Sequence, residues 1–142
     1  MSTPIVYCAA PVGAATVEGV LLNVARAERW FRALLLAEPG VALLASWLPY
    51  VRVLNDGNAE HRARGIRDDH AIIERVKPDG IMLVGGRISS GMEGEIRAVT
   101  AWGGWVADLT SLGAEPQPAD TDTWAPGRLI TWGRDRWEAR GW

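Results

Sequence analysis

Apolar residues fall along this chain in two patterns, short continuous runs and longer stretches with helical spacing. Residues 5–10 form the first run, and Pro11 and Gly13 close it, which predicts a buried strand leading into a loop. Thr16 then stands at an N-cap position with Glu18 in the first turn. Val17, Val20, Leu21, Val24, Phe31, Leu34 and Leu35 follow with helical period until Pro39-Gly40 stops it. A second strand is expected over 41–45 and a loop over 46–58, with Asp56-Gly57 as its turn. The next helix, about 60–76, carries Ala63, Ile66, Ile73 and Val76 on one side. Pro78-Asp79-Gly80 leads into a third buried strand over 81–84, and a loop fills 85–90. A helix over 91–102 ends at Gly103-Gly104, and residues 105–109 make a fourth strand.

Strands alternating with helices imply βαβ crossovers and a small parallel sheet covered on both faces. The expected fold is therefore α/β, a three-layer sandwich, doubly wound in the flavodoxin or Rossmann manner. Ligands of such sheets sit beyond the carboxyl ends of the strands near the topological switch, so candidate chemistry belongs just after the strands. This core is read as residues 1–113. Residues 114–142 then form a linker rich in Pro, Asp, Thr and Ala, followed by a tail in which Leu129-Ile130-Thr131-Trp132 reads as an edge strand.

Composition changes that picture in three places. The chain has 142 residues, 48% hydrophobic, enough for one domain that needs no disulfide or metal staple. Its net charge of −2, without a block of like charge, argues against nucleic acid as partner and for a small substrate. There are 8 Trp against 2 Tyr and 1 Phe, and Trp124, Trp132, Trp137 and Trp142 crowd the tail, which is expected to pack on the core or on a neighbouring subunit. Cys8 lies in the first apolar run and reads as an inert buried thiol. His61, His70 and one cysteine do not make a zinc spacing, so neither metal nor cofactor is expected. Neither a signal peptide nor a membrane span is read, and a cytoplasmic protein is expected.

An acid on an apolar helical row loses hydration and needs a partner or a task. Asp69 has Ile66, Ile72, Ile73 and Val76 as helical neighbours, whereas Asp68 has Arg64 four residues before it and Arg75 seven after. Glu95 has Met92, Ala98, Val99 and Trp102, whereas Glu93 has Arg97 at the ion-pairing distance of four. Asp68 and Glu93 are thus surface ion-pair residues, while Asp69 and Glu95 face the sheet. Glu95 also stands near the start of its helix, where the macrodipole favours an ionised carboxylate fit for a nucleophile. A carboxylate satisfied by backbone amides is the structural alternative for both.

Other candidates carry two readings each. Ser89-Ser90-Gly91 either caps the helix or offers backbone N–H groups to an anion. His70 is a hydrogen-bonded core residue or a base. His61, Arg62, Arg64 and Arg67 form a solvated face or reach a ligand. Trp47, just after the second strand, packs in the core or stacks on a nucleobase.

Taken together, Tyr7-Cys8-Ala9-Ala10-Pro11 at the end of the first strand, Asp69 in the helix before the third, and Ser89-x-Gly91-x-x-x-Glu95 after that strand resemble the nucleoside 2-deoxyribosyltransferase superfamily, over about residues 4–113. That superfamily includes deoxynucleoside 5′-monophosphate N-glycosidases. The resemblance implies Glu95 as nucleophile at C1′, Asp69 as the acid assisting the base, and Tyr7 as the residue orienting the nucleophile. Ser89 would contact a 5′-phosphate, and Ser90, Gly91, Met92 and Ala10 would complete the substrate-binding set with Trp47. It also implies a homo-oligomer, a dimer or higher. Ala10 departs from a frequent Gly, and residues 11–15 lack the Arg that some monophosphate enzymes carry there. The expected function is an N-glycosyl hydrolase or transferase acting on a small nucleoside or nucleotide. A non-catalytic nucleotide-binding or assembly protein, or cleavage of a nicotinamide dinucleotide, are the alternatives.

Overall fold

The computed structural model describes residues 2–117 and 124–142. The chain runs β1 (Ile5–Ala9), α1 (Val17–Ala37), β2 (Ala42–Leu44), α2 (Trp47–Val53), α3 (Ala59–Val76) and β3 (Gly80–Leu83). It continues through α4 (Ser90–Thr100), β4 (Trp105–Asp108), a 3-10 turn Thr110–Leu112 and α5 (Arg128–Ala139). The four strands make one sheet in the order β2-β1-β3-β4, with every neighbouring pair parallel. The fold is α/β, as the alternation predicts.

Period-two alternation explains why the strands read as unbroken apolar runs. Val6, Cys8, Met82 and Ala107 point to one face, where Ala27, Trp30 and Leu34 of α1 and Leu129 of α5 cover them. Tyr7, Ala9, Ile81, Leu83 and Val106 point to the other, against Ile73 of α3 and Met92, Ile96 and Val99 of α4. Connections leave β1 toward β2 on one side while β3 lies on the other, so the crevice beyond the ends of β1 and β3 is the topological switch. Cys8 is free and fully buried, and burial pushes its thiol up to about 12.

Local signals account for the helix starts. Thr16 caps α1, its Oγ1 accepting the Gly19 N–H at 3.0 Å. Asn58 caps α3 through Glu60 and His61 N–H, and Ser89 caps α4 through Met92 N–H at 3.3 Å. Asp68 takes Arg64 at 3.3 Å, as expected, but its second partner is Arg67 at 2.8 Å in place of Arg75.

Several expectations are corrected. The segment 46–58 is not all loop: α2 forms there because Pro49 falls in its first turn, where an N–H has no intrahelical partner to lose. Residues 129–132 are not an edge strand but the start of α5, since Leu129, Gly133 and Trp137 recur every four residues and bury one helical face. On α3 only Asp69 and Ile73 are buried; Ile66 is half exposed because the first half of the helix borders an open cavity rather than the sheet. His70 is accordingly exposed rather than core, its ring lying beside Gly94 of α4. Trp102 is also half exposed, beneath Lys77 Nζ at 4.3 Å from the ring centroid. The Glu93–Arg97 pair is absent from the ion pairs of the described residues.

The Trp-rich tail lies on its own chain. Gly133 abuts Ala107 and Leu109, and Arg140 Nε donates to Asp108 Oδ2 at 2.5 Å. At the other end of α5, the buried Glu38 carboxylate accepts the Gly127 N–H at 2.8 Å and the Ile130 N–H at 3.4 Å. Upstream of it, Ala114 accepts the Trp30 indole N–H at 3.1 Å, and Glu115 pairs with Arg26 and Arg29. The rest of the expected linker falls partly outside the described residues.

Candidate active site

Three elements deliver one polar cluster to an otherwise apolar layer. Tyr7 is on the α3/α4 side of β1 because Val6 and Cys8 take the other side. Asp69 stands one turn before Ile73 on the face of α3 that meets the sheet, and Glu95 stands between Met92 and Val99 on the corresponding face of α4. All three are nearly closed to solvent, at 0%, 4% and 8% exposure. The Tyr7 hydroxyl lies 2.7 Å from both carboxylate oxygens of Asp69 and also hydrogen-bonds Glu95 Oε2. Two carboxyl groups therefore meet on a single phenol.

Burial and its neighbours bias the protons in this cluster. Loss of solvent raises the Glu95 carboxyl well above its ordinary range, and a hydrogen bond and charge repulsion from Asp69 raise it further, against a smaller opposing pull from Tyr7. The Tyr7 hydroxyl is likewise raised, first by burial and then by the two carboxylates. Burial and Asp69 thus shift Glu95 toward its protonated form, against the expectation that the helix dipole keeps it ionised. The helix dipole favours the anion, but the burial that the apolar row implies and a second carboxyl supplied by α3 act against it, and that second carboxyl could not be read from the sequence around Glu95.

Both carboxyl groups line a cavity of about 730 Å³, within the usual range for small-ligand sites. Ala10, Trp47, Ser89, Ser90, Gly91 and Met92 line it too, whereas Tyr7 lies behind the carboxyl groups without reaching it. Trp47 is only partly available to a ligand, since its indole N–H donates to the Cys8 carbonyl at 2.9 Å and its ring packs on Phe31. Ser89 is engaged as a cap, and its own N–H donates to Met92 Sδ at 3.4 Å. Of the basic cluster, His61 and Arg62 line the cavity, while Arg64 and Arg67 turn to Asp68 outside it. Among the described residues no group of His, Cys, Asp and Glu is arranged to hold a metal ion.

Two further residues contribute without any local sequence signal. Ser46 Oγ donates to Asp69 Oδ1 at 2.5 Å. It occupies the N-cap position of α2 without making a side-chain cap, so its hydroxyl is left for the carboxylate. Arg87, on the loop between β3 and α4, places a cation at the cavity that residues 11–15 lack.

A family model matches residues 4–107, and its description is a domain of unknown function, DUF7768. The chain belongs to this family. The DUF7768 match runs from the residue before β1 to the penultimate residue of β4, so it includes Tyr7, Ser46, Asp69, Arg87 and Glu95 and stops short of α5. No curated protein and no solved structure matches the chain. No helix among the described residues is long and apolar enough to cross a membrane.

Proposed function

We propose that this DUF7768 chain is an N-glycosyl hydrolase or transferase that cleaves the base–sugar bond of a 2′-deoxynucleoside or its 5′-monophosphate. The observation that carries the reading is the pair of buried carboxyl groups joined on Tyr7 at the wall of a nucleotide-sized cavity. An oxocarbenium-like transition state calls for a carboxylate beneath C1′ and a proton donor near the leaving base, and two adjacent carboxyl groups sharing a proton supply both. Ionised Glu95 attacks C1′, the C1′–N bond breaks with its electron pair going to the base, and Asp69 gives the base a proton. Water or a second base then displaces Glu95 from C1′, the C1′–O bond to Glu95 breaks with its electron pair returning to the carboxylate, and Asp69 takes up the proton that the incoming nucleophile gives up. Arg87, with the start of α4 at Ser89 to Gly91, supports a 5′-phosphate at the same cavity. The resemblance to nucleoside 2-deoxyribosyltransferases points the same way, and a homo-oligomer is part of the same proposal.

The test is release of free base from a panel of nucleosides, 2′-deoxynucleosides and their 5′-monophosphates, read by chromatography. Glu95→Ala should lower release at least about 10³-fold, while Glu93→Ala, outside the cluster, should retain it. Equal activity in the two variants overturns the assignment. A panel member that raises thermal stability without any turnover would instead establish a nucleotide-binding protein on this fold.

A further inference from the structure

We propose that Ser46 is a positioning residue that decides which carboxyl of the pair holds the shared proton; this deepens the glycosidase reading and rests on it for its catalytic meaning. Protons can be counted against contacts. Among the described residues a hydroxyl joins three residue pairs, Tyr7–Glu95, Tyr7–Asp69 (where the phenol is shared between both carboxylate oxygens) and Ser46–Asp69, and each pair needs a proton between its partners. The two hydroxyls supply two. The third proton belongs to a carboxyl group, so the pair retains one proton in its resting state.

Ser46 breaks the symmetry between the two carboxyls. Asp69 is reached by two hydroxyls and Glu95 by one, and a hydrogen bond donated to a carboxylate favours its charged form. The resting order is then a protonated Glu95 donating to the Tyr7 oxygen, Tyr7 donating to Asp69, and Ser46 donating to the same ionised Asp69. That is the right number of protons for glycosyl transfer on the wrong carboxyl. Arming the site moves two protons one step each: Tyr7 gives its proton to Asp69 and takes the proton of Glu95. Glu95 becomes the anion, Asp69 becomes the acid, and the net charge of the cluster is unchanged. Because Ser46 opposes this shift, the nucleophile is held in reserve until a bound substrate tips the balance.

The other groups facing the pair come from every wall of the cavity. They are His61, Arg62 and His70 of α3, Tyr50 of α2, Asp56 of the following loop, and Arg87. None is hydrogen-bonded to either carboxyl among the described residues, whereas Ser46 is.

The experiment follows the carboxyl ¹³C resonances of the pair in the full-length protein over pH 4 to 9, in wild type, Ser46→Ala and Ser46→Thr, alongside the pH profile of base release. Removing the donor to the anion should raise the apparent titration of the pair by about one unit, by the ordinary strength of a hydrogen bond to a charged group. Both limbs of kcat/KM should move up with it, and Ser46→Thr should restore both. A purely structural role would lower the melting temperature and leave the titration in place. An unmoved or lowered titration overturns the proposal, even if Glu95→Ala still abolishes base release. A raised titration in a protein that releases no base from any panel member upholds the proton placement and sinks the glycosidase reading instead.

Discussion

Glu95 contributes to stability in a way that its position on α4 alone would not suggest. Its carboxyl titrates above the ordinary carboxylate range because it is buried beside Asp69, so the folded state prefers the protonated form. The sign follows from linkage: this contribution is complete below the ordinary value of about 4.3 and is lost as pH rises through the raised folded value. Gln keeps the donor that faces Tyr7 and never ionises. Glu95→Gln should therefore melt close to wild type near pH 4, with an advantage that grows as pH rises and then levels off. Thermal melts across pH 4 to 9 check it, and a difference that stays flat contradicts the buried, coupled carboxyl. Asp68, one residue from Asp69, shows the contrast. Its carboxyl is held below the usual range, Arg67 being the largest lowering influence. The two neighbours differ because a helix turns about 100° per residue, which puts adjacent acids on different faces.

At the scale of elements, α5 depends on a close approach to β4. A Cβ at Gly133 would lie 2.8 Å from Leu109 Cδ2, 3.0 Å from Ala107 Cβ and 3.1 Å from the Asp108 backbone nitrogen, so helix and strand touch where a side chain would stand. Ala normally gains about 1 kcal/mol over Gly inside a helix, but overpacking of this kind costs about 1–3 kcal/mol. The cost at this contact outweighs the gain, so Gly133→Ala should destabilise the protein by up to about 2 kcal/mol, measurable as a lower urea midpoint with an unchanged slope. A gain in stability would show that α5 can lift off the sheet. Gly133 also explains why the tail was misread. Ile130-Thr131-Trp132 has strand-like residues, and a lone Gly gives no local sign of the strand that it will approach. α2 escaped notice for a related reason, since Pro49 ends helices at most positions and is harmless only in a first turn.

For the molecule as a whole, the sheet has one face covered jointly by α1 and α5. Leu129 is fully buried in one apolar cluster with Ala107 and Leu109, and among the described residues the buried Glu38 carboxylate accepts N–H groups at the start of α5. Removing residues 125–142 should expose that apolar strip and strand a buried charge. The expected result is a loss of about 3 kcal/mol or more, binding of a hydrophobic dye, and self-association in sedimentation. A truncated chain that stays monomeric with unchanged stability would show that the tail is dispensable to the fold. Trp124 and Trp132 pack edge to face at 5.8 Å, and Arg136 lies over Trp132, so part of the Trp excess serves this covering layer.

The sequence by itself determined the strand-helix alternation, the starts of α1 and α4, and the two acids that face the sheet. These are set by near neighbours: a cap reads the next three residues, and a helical row reads positions three, four and seven away. Only the tertiary structure decided that Asp69 and Glu95 share one phenol, that Ser46 joins them, that Arg87 reaches the cavity, and that the Glu95 carboxyl is pushed above its ordinary range. Those facts depend on groups 23 to 88 residues apart brought within hydrogen-bonding distance. Their chemistry comes from desolvation and charge coupling, which exist only once the layers have closed on one another.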